Sequence, residues 1–177
     1  MIRISTPFSL RIISSLRAGD EVLLSGVIYT ARDQAHKRLN ESLKQNKKLP
    51  FSISNQVIYY CGATKTPKNK VIGSCGPTTS RRMDSFTPFL LKAGLKGIIG
   101  KWNRSLDVIS AIKKYKAVYF LAPAGCGALI AQYVIKTSLV AYNDLGPERI
   151  LRLEVKDLPL IVGIDSRGKS IFKKERV

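Results

Sequence analysis

The chain is short of acids: 12 Asp and Glu stand against 30 Lys and Arg in 177 residues, a formal net charge of +18. It holds a single histidine, His36, so a Ser-His-Asp arrangement has nothing to recommend it. Cysteines are also few. Cys61, Cys75 and Cys126 are odd in number and widely spaced, which is neither a metal-binding CxxC pattern nor a disulfide framework. Small or glycine neighbours favour buried, reduced thiols, and with them a reducing, cytoplasmic location. No apolar run approaches the ~20 residues of a membrane span. The opening "MIRISTPFSLRIISSLRAGD" is rich in Arg and Ser like a transit peptide, but it runs straight into an apparent strand and reads as part of the fold.

What remains is an ordinary globular composition, 45% hydrophobic, in one domain spanning residues 1–177. A chain of this size buries roughly 70% of its unfolded surface and needs no metal or disulfide staple. The positive charge points to an anionic partner: a nucleic acid, an acidic protein or an anionic substrate. A basic nucleic-acid-binding module is one reading. Against it, no basic stripe interleaved with aromatics and no RNA-binding signature is present, so nucleic acid is not the expected partner.

The order of elements is that of an α/β fold. "DEVLLSGVIYT" (20–30) reads as a strand, followed by a helix in which Ala31, Ala35, Leu39 and Leu43 recur every fourth residue. "QVIYYCG" (56–62) and "VIGSC" (71–75) read as strands, the second turning at Gly76-Pro77. A short helix over 85–94 precedes strand–helix repeats: 97–101 and 103–115, then 117–123 and 125–135. "ILRLEVKDLP" (150–159) alternates like a strand with one wet face, and "LIVGID" with a turn at 166–170 completes the chain. The expected sheet is mixed, largely parallel and flanked by helices.

Three polar constellations sit at strand-to-helix junctions, where open α/β folds present their sites. They are Arg32–Asp33 in "TARDQAH", the run "GPTTSRRMD" (76–84), and Lys101 with Arg104 in "GKWNRS". Helix N-termini attract anions, and Arg adds a planar fork matched to a carboxylate. Each also has a plainer reading. Arg32–Asp33 could be a local ion pair, Thr78 and Thr79 could be N-caps, and Lys101 and Arg104 could be surface charges. His36 falls away from the alanine stripe, where a solvated or hydrogen-bonded ring is expected rather than a general base.

The segments "GDEVLLSGVIYTARDQAHKRL", "IYYCG", "GPTTSRRMD", "IIGKWNRS" and "LRLEVKDLPLIVGID", in that order, resemble the β subunit or C-terminal domain of class I fumarate hydratases and tartrate dehydratases. The resemblance implies a swivelling β/β/α domain and a hydro-lyase β subunit, inactive without an α subunit, in an α2β2 heterotetramer. It places an oxygen-sensitive four-iron, four-sulfur cluster on that α subunit and none on this chain, so no metal-binding residues are expected here. It implies that Arg32, Arg82 and Lys101 bind the carboxylates of a dicarboxylate such as fumarate, and that Thr78 is the base. The cluster's open iron would act as Lewis acid, and the cations would steady a carbanion-like transition state. Trp102 stands where a small residue is usual after the lysine, and "PAGCGAL" and "GPER" also depart from common forms.

Overall fold

The structure, a computed structural model, describes residues 1–172. Seven strands form one sheet: β1 (Ile2–Ser5), β2 (Glu21–Thr30), β3 (Val57–Tyr59), β4 (Gly97–Gly100), β5 (Val118–Leu121), β6 (Val134–Ala141) and β7 (Ile150–Ile164). Five helices accompany them: α1 (Leu10–Ser15), α2 (Asp33–Lys44), α3 (Thr87–Lys92), α4 (Leu106–Tyr115) and α5 (Gly127–Ala131). Two 3-10 turns lie at Ser80–Met83 and Asn143–Glu148.

The expected α/β class and mixed pairing are present. The strands run β1-β2-β3-β4-β5-β7-β6, and β7 also pairs with β2, so β2, β3, β4, β5 and β7 close into a five-stranded barrel. The first five strands pair in parallel, whereas β7 is antiparallel to β2, β5 and β6. Closure depends on the length of β7, whose 15 residues reach from Tyr29↔Arg152 to Glu21↔Ile161 on β2. Closing the sheet removes the open edges that β2 and β5 would otherwise expose.

Alternation along the strands divides the apolar residues into two cores. Val22, Leu24, Ile28, Val57, Tyr59, Ile99, Val118, Phe120, Leu153 and Val155 share one cluster with Phe8 and Ile13, which come from the N-terminal segment. Their neighbours Ile58, Tyr60, Ile98 and Tyr119 face the other way, against Ala35 and Leu39 of α2, Leu90 and Leu91 of α3, and Val108 and Ile112 of α4. The N-terminal segment is thus part of the fold, as read from the sequence, and supplies an edge strand and a helix that pack into the first core.

Several boundaries differ from the sequence reading. Residues 71–75 are not a strand; they form a loop fixed by Cys75 N donating to Gly127 O. The helix expected over 125–135 stops at Ala131, and "VIKTSLVA" is instead the edge strand β6. Its burial pattern is mostly exposed, so it carries neither clean helical nor clean strand periodicity. "LIVGID" is not a separate strand but the continuation of β7 through Pro159, opposite Leu23. Cys61 and Cys75 are buried free thiols, while Cys126 is only half-buried.

Candidate active site

The ends of β2, β3 and β4 bring three junctions together. At the end of β2, Ala31 N donates to Tyr59 O, which sets Arg32 and Asp33 at the start of α2. Asp33 falls in the helix's first turn, where its charge suits the macrodipole. At the end of β3, Thr78 N donates to Tyr60 O and Cys61 bridges Pro77, so the "GPTT" loop hangs from that strand. At the end of β4, Lys101 N donates to Ser80 Oγ at 2.9 Å, tying the third junction to the second.

Arg82 Nε donates to Asp33 Oδ1 at 2.8 Å, and Arg82 Nη2 donates to both Asp33 Oδ2 at 3.2 Å and Thr78 Oγ1 at 2.8 Å. Arg32 flanks the same carboxylate, with Nη2 3.6 Å from Asp33 Oδ2 and 3.8 Å from Glu148 Oε1. Thr78, Arg82, Asp33 and Arg32 are therefore one connected array. Thr79, not Thr78, occupies the N-cap position of the 3-10 turn, and its side chain makes no capping bond. Lys101 is half-buried, and its ammonium enters none of the ion pairs among the described residues.

Sequence reasoning saw Asp33 only beside Arg32 and gave Glu148 no role. Asp33 is more than a local partner of Arg32: it is gripped by Arg82 from 49 residues away. Glu148, from the "GPER" segment, also donates nothing to sequence inspection, yet its Oε2 accepts from Gln34 N at 2.8 Å. It is brought there because Thr30 Oγ1 accepts from Leu151 N and donates to Arg149 O, lashing the end of β2 to the start of β7. Three cations, Arg32, Arg82 and Lys101, stand against two carboxylates, Asp33 and Glu148, which leaves one net positive charge. Gly62 makes room for this: a Cβ there would lie 2.8 Å from Arg32 Cδ and from Arg32 Nη1.

Thr78 Oγ accepts a charged donor, an arrangement that favours an alkoxide over the alcohol. Arg82 is about half exposed and Arg32 about a quarter, so the array opens to the surface. Trp102, next after Lys101, is 68% exposed and in the left-handed region at φ 64°. That conformation accounts for why a small residue, glycine above all, would be comfortable after the lysine.

One expectation is corrected and one open alternative is decided. Arg104 is neither a surface charge nor a free anion ligand. Its side chain is fully buried, with Nε donating to Asp84 Oδ1 at 2.7 Å, Nη2 donating to Thr87 Oγ1 at 2.8 Å, and the guanidinium lying against Tyr60 and Tyr119. Burial opposes its charge, but Tyr60 and Asp84 hold it protonated. Of the two alternatives left open for His36, solvated or hydrogen-bonded, the second holds. The ring is fully buried, edge-on to Tyr60, with Nδ1 2.9 Å from Arg32 O, and burial pushes its pKa down to about 4. A neutral His36 donates from Nδ1 to that carbonyl and so helps to hold Arg32 at the head of α2.

The cysteines do not build a metal centre: among the described residues no three Cys, His, Asp or Glu side chains converge in a way that could hold a metal ion. A four-iron, four-sulfur cluster does not fit the described residues of this chain.

Residues 1–175 match the family profile described as Fumarase C-terminus. A Methanocaldococcus jannaschii protein provisionally named L(+)-tartrate dehydratase subunit beta is 41% identical over 168 residues, covering 92% of this chain and 86% of that one. The L(+)-tartrate dehydratase subunit beta of Escherichia coli is 32% identical over 178 residues, covering 98% and 87%. The anaerobic class I fumarate hydratase of Escherichia coli is 40% identical over 153 residues, 85% of this chain but 28% of that longer protein. The chain thus spans most of the β subunits it matches and under a third of the fumarate hydratase. With a profile match over nearly its whole length, it belongs to the fumarase C-terminus family, whose members here are hydro-lyase chains.

Proposed function

We propose that the chain is the β subunit of an iron–sulfur hydro-lyase that reversibly hydrates fumarate to malate, or a close dicarboxylate. Its partner is an α subunit that carries the four-iron, four-sulfur cluster, in an α2β2 assembly in the cytoplasm. The chain acts as a swivelling domain that presents its half of the site to that subunit. The observation that carries this reading is the connected array Thr78–Arg82–Asp33–Arg32, open to the surface and, counted with Lys101 and Glu148, bearing one net positive charge.

Hydration of a carbon–carbon double bond beside a carboxylate, or its reverse, moves one proton at carbon and builds negative charge on that carboxylate. Arg32, Arg82 and Lys101 bind the carboxylates and take up that charge as it develops. Asp33 fixes Arg82 in a two-pronged grip, so the second hydrogen of Nη2 is already aimed at Thr78 Oγ. A threonine alcohol is a weak base in water. A carboxylate of the partner subunit takes the hydroxyl proton, the guanidinium 2.8 Å away stabilises the resulting alkoxide, and the alkoxide takes the carbon-bound proton. Glu148 and Asp33 both lie near Arg32 Nη2, so Arg32 keeps its place before substrate arrives.

Co-expression with the α subunit under anaerobic conditions, followed by a screen of fumarate, tartrate and mesaconate, tests the reading. Turnover that appears only in the assembled protein is expected. Full hydration by this chain alone would overturn it.

A further inference from the structure

Ser80 has no place in the array just described, yet it is fully buried at the point where the Thr78 and Lys101 loops meet. Its Oγ accepts from Lys101 N at 2.9 Å and lies 3.1 Å from the Tyr119 hydroxyl. That hydroxyl is in turn 2.9 Å from the Trp102 carbonyl. A phenol has one proton to give and a carbonyl has none, so the Tyr119 proton goes to Trp102 O and the Ser80 proton goes to Tyr119. The result is a one-way chain: Lys101 N–H to Ser80, Ser80 to Tyr119, Tyr119 to Trp102 O.

This chain pins the peptide groups on both sides of the Lys101–Trp102 step, and with them the left-handed turn at Trp102. Burial pushes the Tyr119 phenol's pKa up, Arg104 pulling the other way, so its proton stays in place at neutral pH. Gly100 is part of the same design, because a Cβ at that position would collide with Ser80 Oγ. Nothing in the fold requires a serine at this point for packing. A buried alanine would fill nearly the same space.

We propose that Ser80 is a positioning residue: through its hydroxyl it sets the backbone of Lys101, and so the placement of the Lys101 ammonium relative to the Thr78 loop. The inference rests on the reading that Lys101 binds a substrate carboxylate. Ser80 itself touches no substrate.

The test uses the assembled enzyme carrying Ser80→Ala, Lys101→Ala, both together, and Tyr119→Phe, with steady-state kinetics and amide hydrogen exchange over residues 100–104. A misplaced binding group raises KM, whereas lost folding lowers the active fraction and hence kcat. Ser80→Ala is expected to raise KM about tenfold with kcat within about threefold, and to add almost nothing in the Lys101→Ala background. Exchange at Lys101 N–H is expected to quicken by on the order of tenfold. A fall in kcat at constant KM, effects that multiply in the double variant, or unchanged exchange would overturn the proposal. If Lys101→Ala leaves kcat/KM unchanged while Ser80→Ala still speeds exchange, the carboxylate role of Lys101 fails, and the functional claim for Ser80 falls with it. Should Ser80→Ala not assemble, Tyr119→Phe keeps the ring in the core and is expected to raise KM about threefold; an unchanged KM there refutes the chain of bonds.

Discussion

Replacing Asp84 by Ala removes the partner of Arg104, a deeply buried charge. Arg104's side chain is 0% exposed and Asp84's is 11%, so solvent screens the pair little. Asp84 accepts from Arg104 Nε and from Ser105 N, both at 2.7 Å, while Arg104 Nη1 is already buried without a partner. Loss of the carboxylate therefore leaves an uncompensated guanidinium and an orphaned helix-start N–H. Breaking one side of such a pair costs about 3–5 kcal/mol. For a chain of this size that is a fall in Tm of about 10 °C. The exposed pair Arg38–Asp144 provides the control, since solvent screens it and Arg38→Ala is expected to leave stability close to that of the parent. Thermal and urea unfolding of the two variants decide the matter. If Asp84→Ala costs no more than Arg38→Ala, the pair is not the strut between the "RRMD" turn and α4 that its geometry describes. A double replacement of Asp84 by Ala and Arg104 by Met should recover part of the loss, because removing both charges removes the desolvation cost as well.

Two further predictions follow from the same neighbourhood. His36 is neutral in the fold, with its pKa lowered from 6.5 to about 4 by burial. The unfolded chain therefore binds the extra proton first: the stabilisation is complete above about pH 6.5 and is lost as pH falls toward 4, by about 3 kcal/mol in all. His36→Phe should flatten that part of the Tm–pH curve relative to the parent, and an unchanged slope would show that other groups set it. Arg82→Lys keeps the charge but cannot hold both Asp33 oxygens and Thr78 at once. In the assembled enzyme it should lower kcat by roughly a hundredfold while moving stability by less than about 1 kcal/mol, and full activity would contradict the fork's role.

Much of this was legible in the sequence because it is local. The fourth-residue repeat of Ala31, Ala35 and Leu39 announces α2, and the residues that follow the strands at 30, 60 and 100 are those at which the polar junctions meet. What was illegible is what the barrel brings together. Pairing of β2 with β7 joins Val27 to Glu154 across the length of the chain, and only then does Glu148 stand beside Arg32. The edge strand β6 exposes Ile135 and Leu139 and has no clean period, so it passed for the end of a helix. Arg104 is polar by type and looked like a surface charge, and the sequence left His36 either solvated or hydrogen-bonded. Tyr60, reaching between them from β3, gives each an apolar or π surface and makes their burial possible.

The central claim is that Thr78 takes the proton in a site completed by another subunit. The direct measurement is steady-state and substrate-binding analysis of Thr78→Ala in the enzyme assembled anaerobically with its α subunit. Dicarboxylate affinity within about threefold of the parent, with kcat reduced by about a hundredfold or more, is the predicted result. Turnover that survives the substitution would contradict it and place the base on another residue.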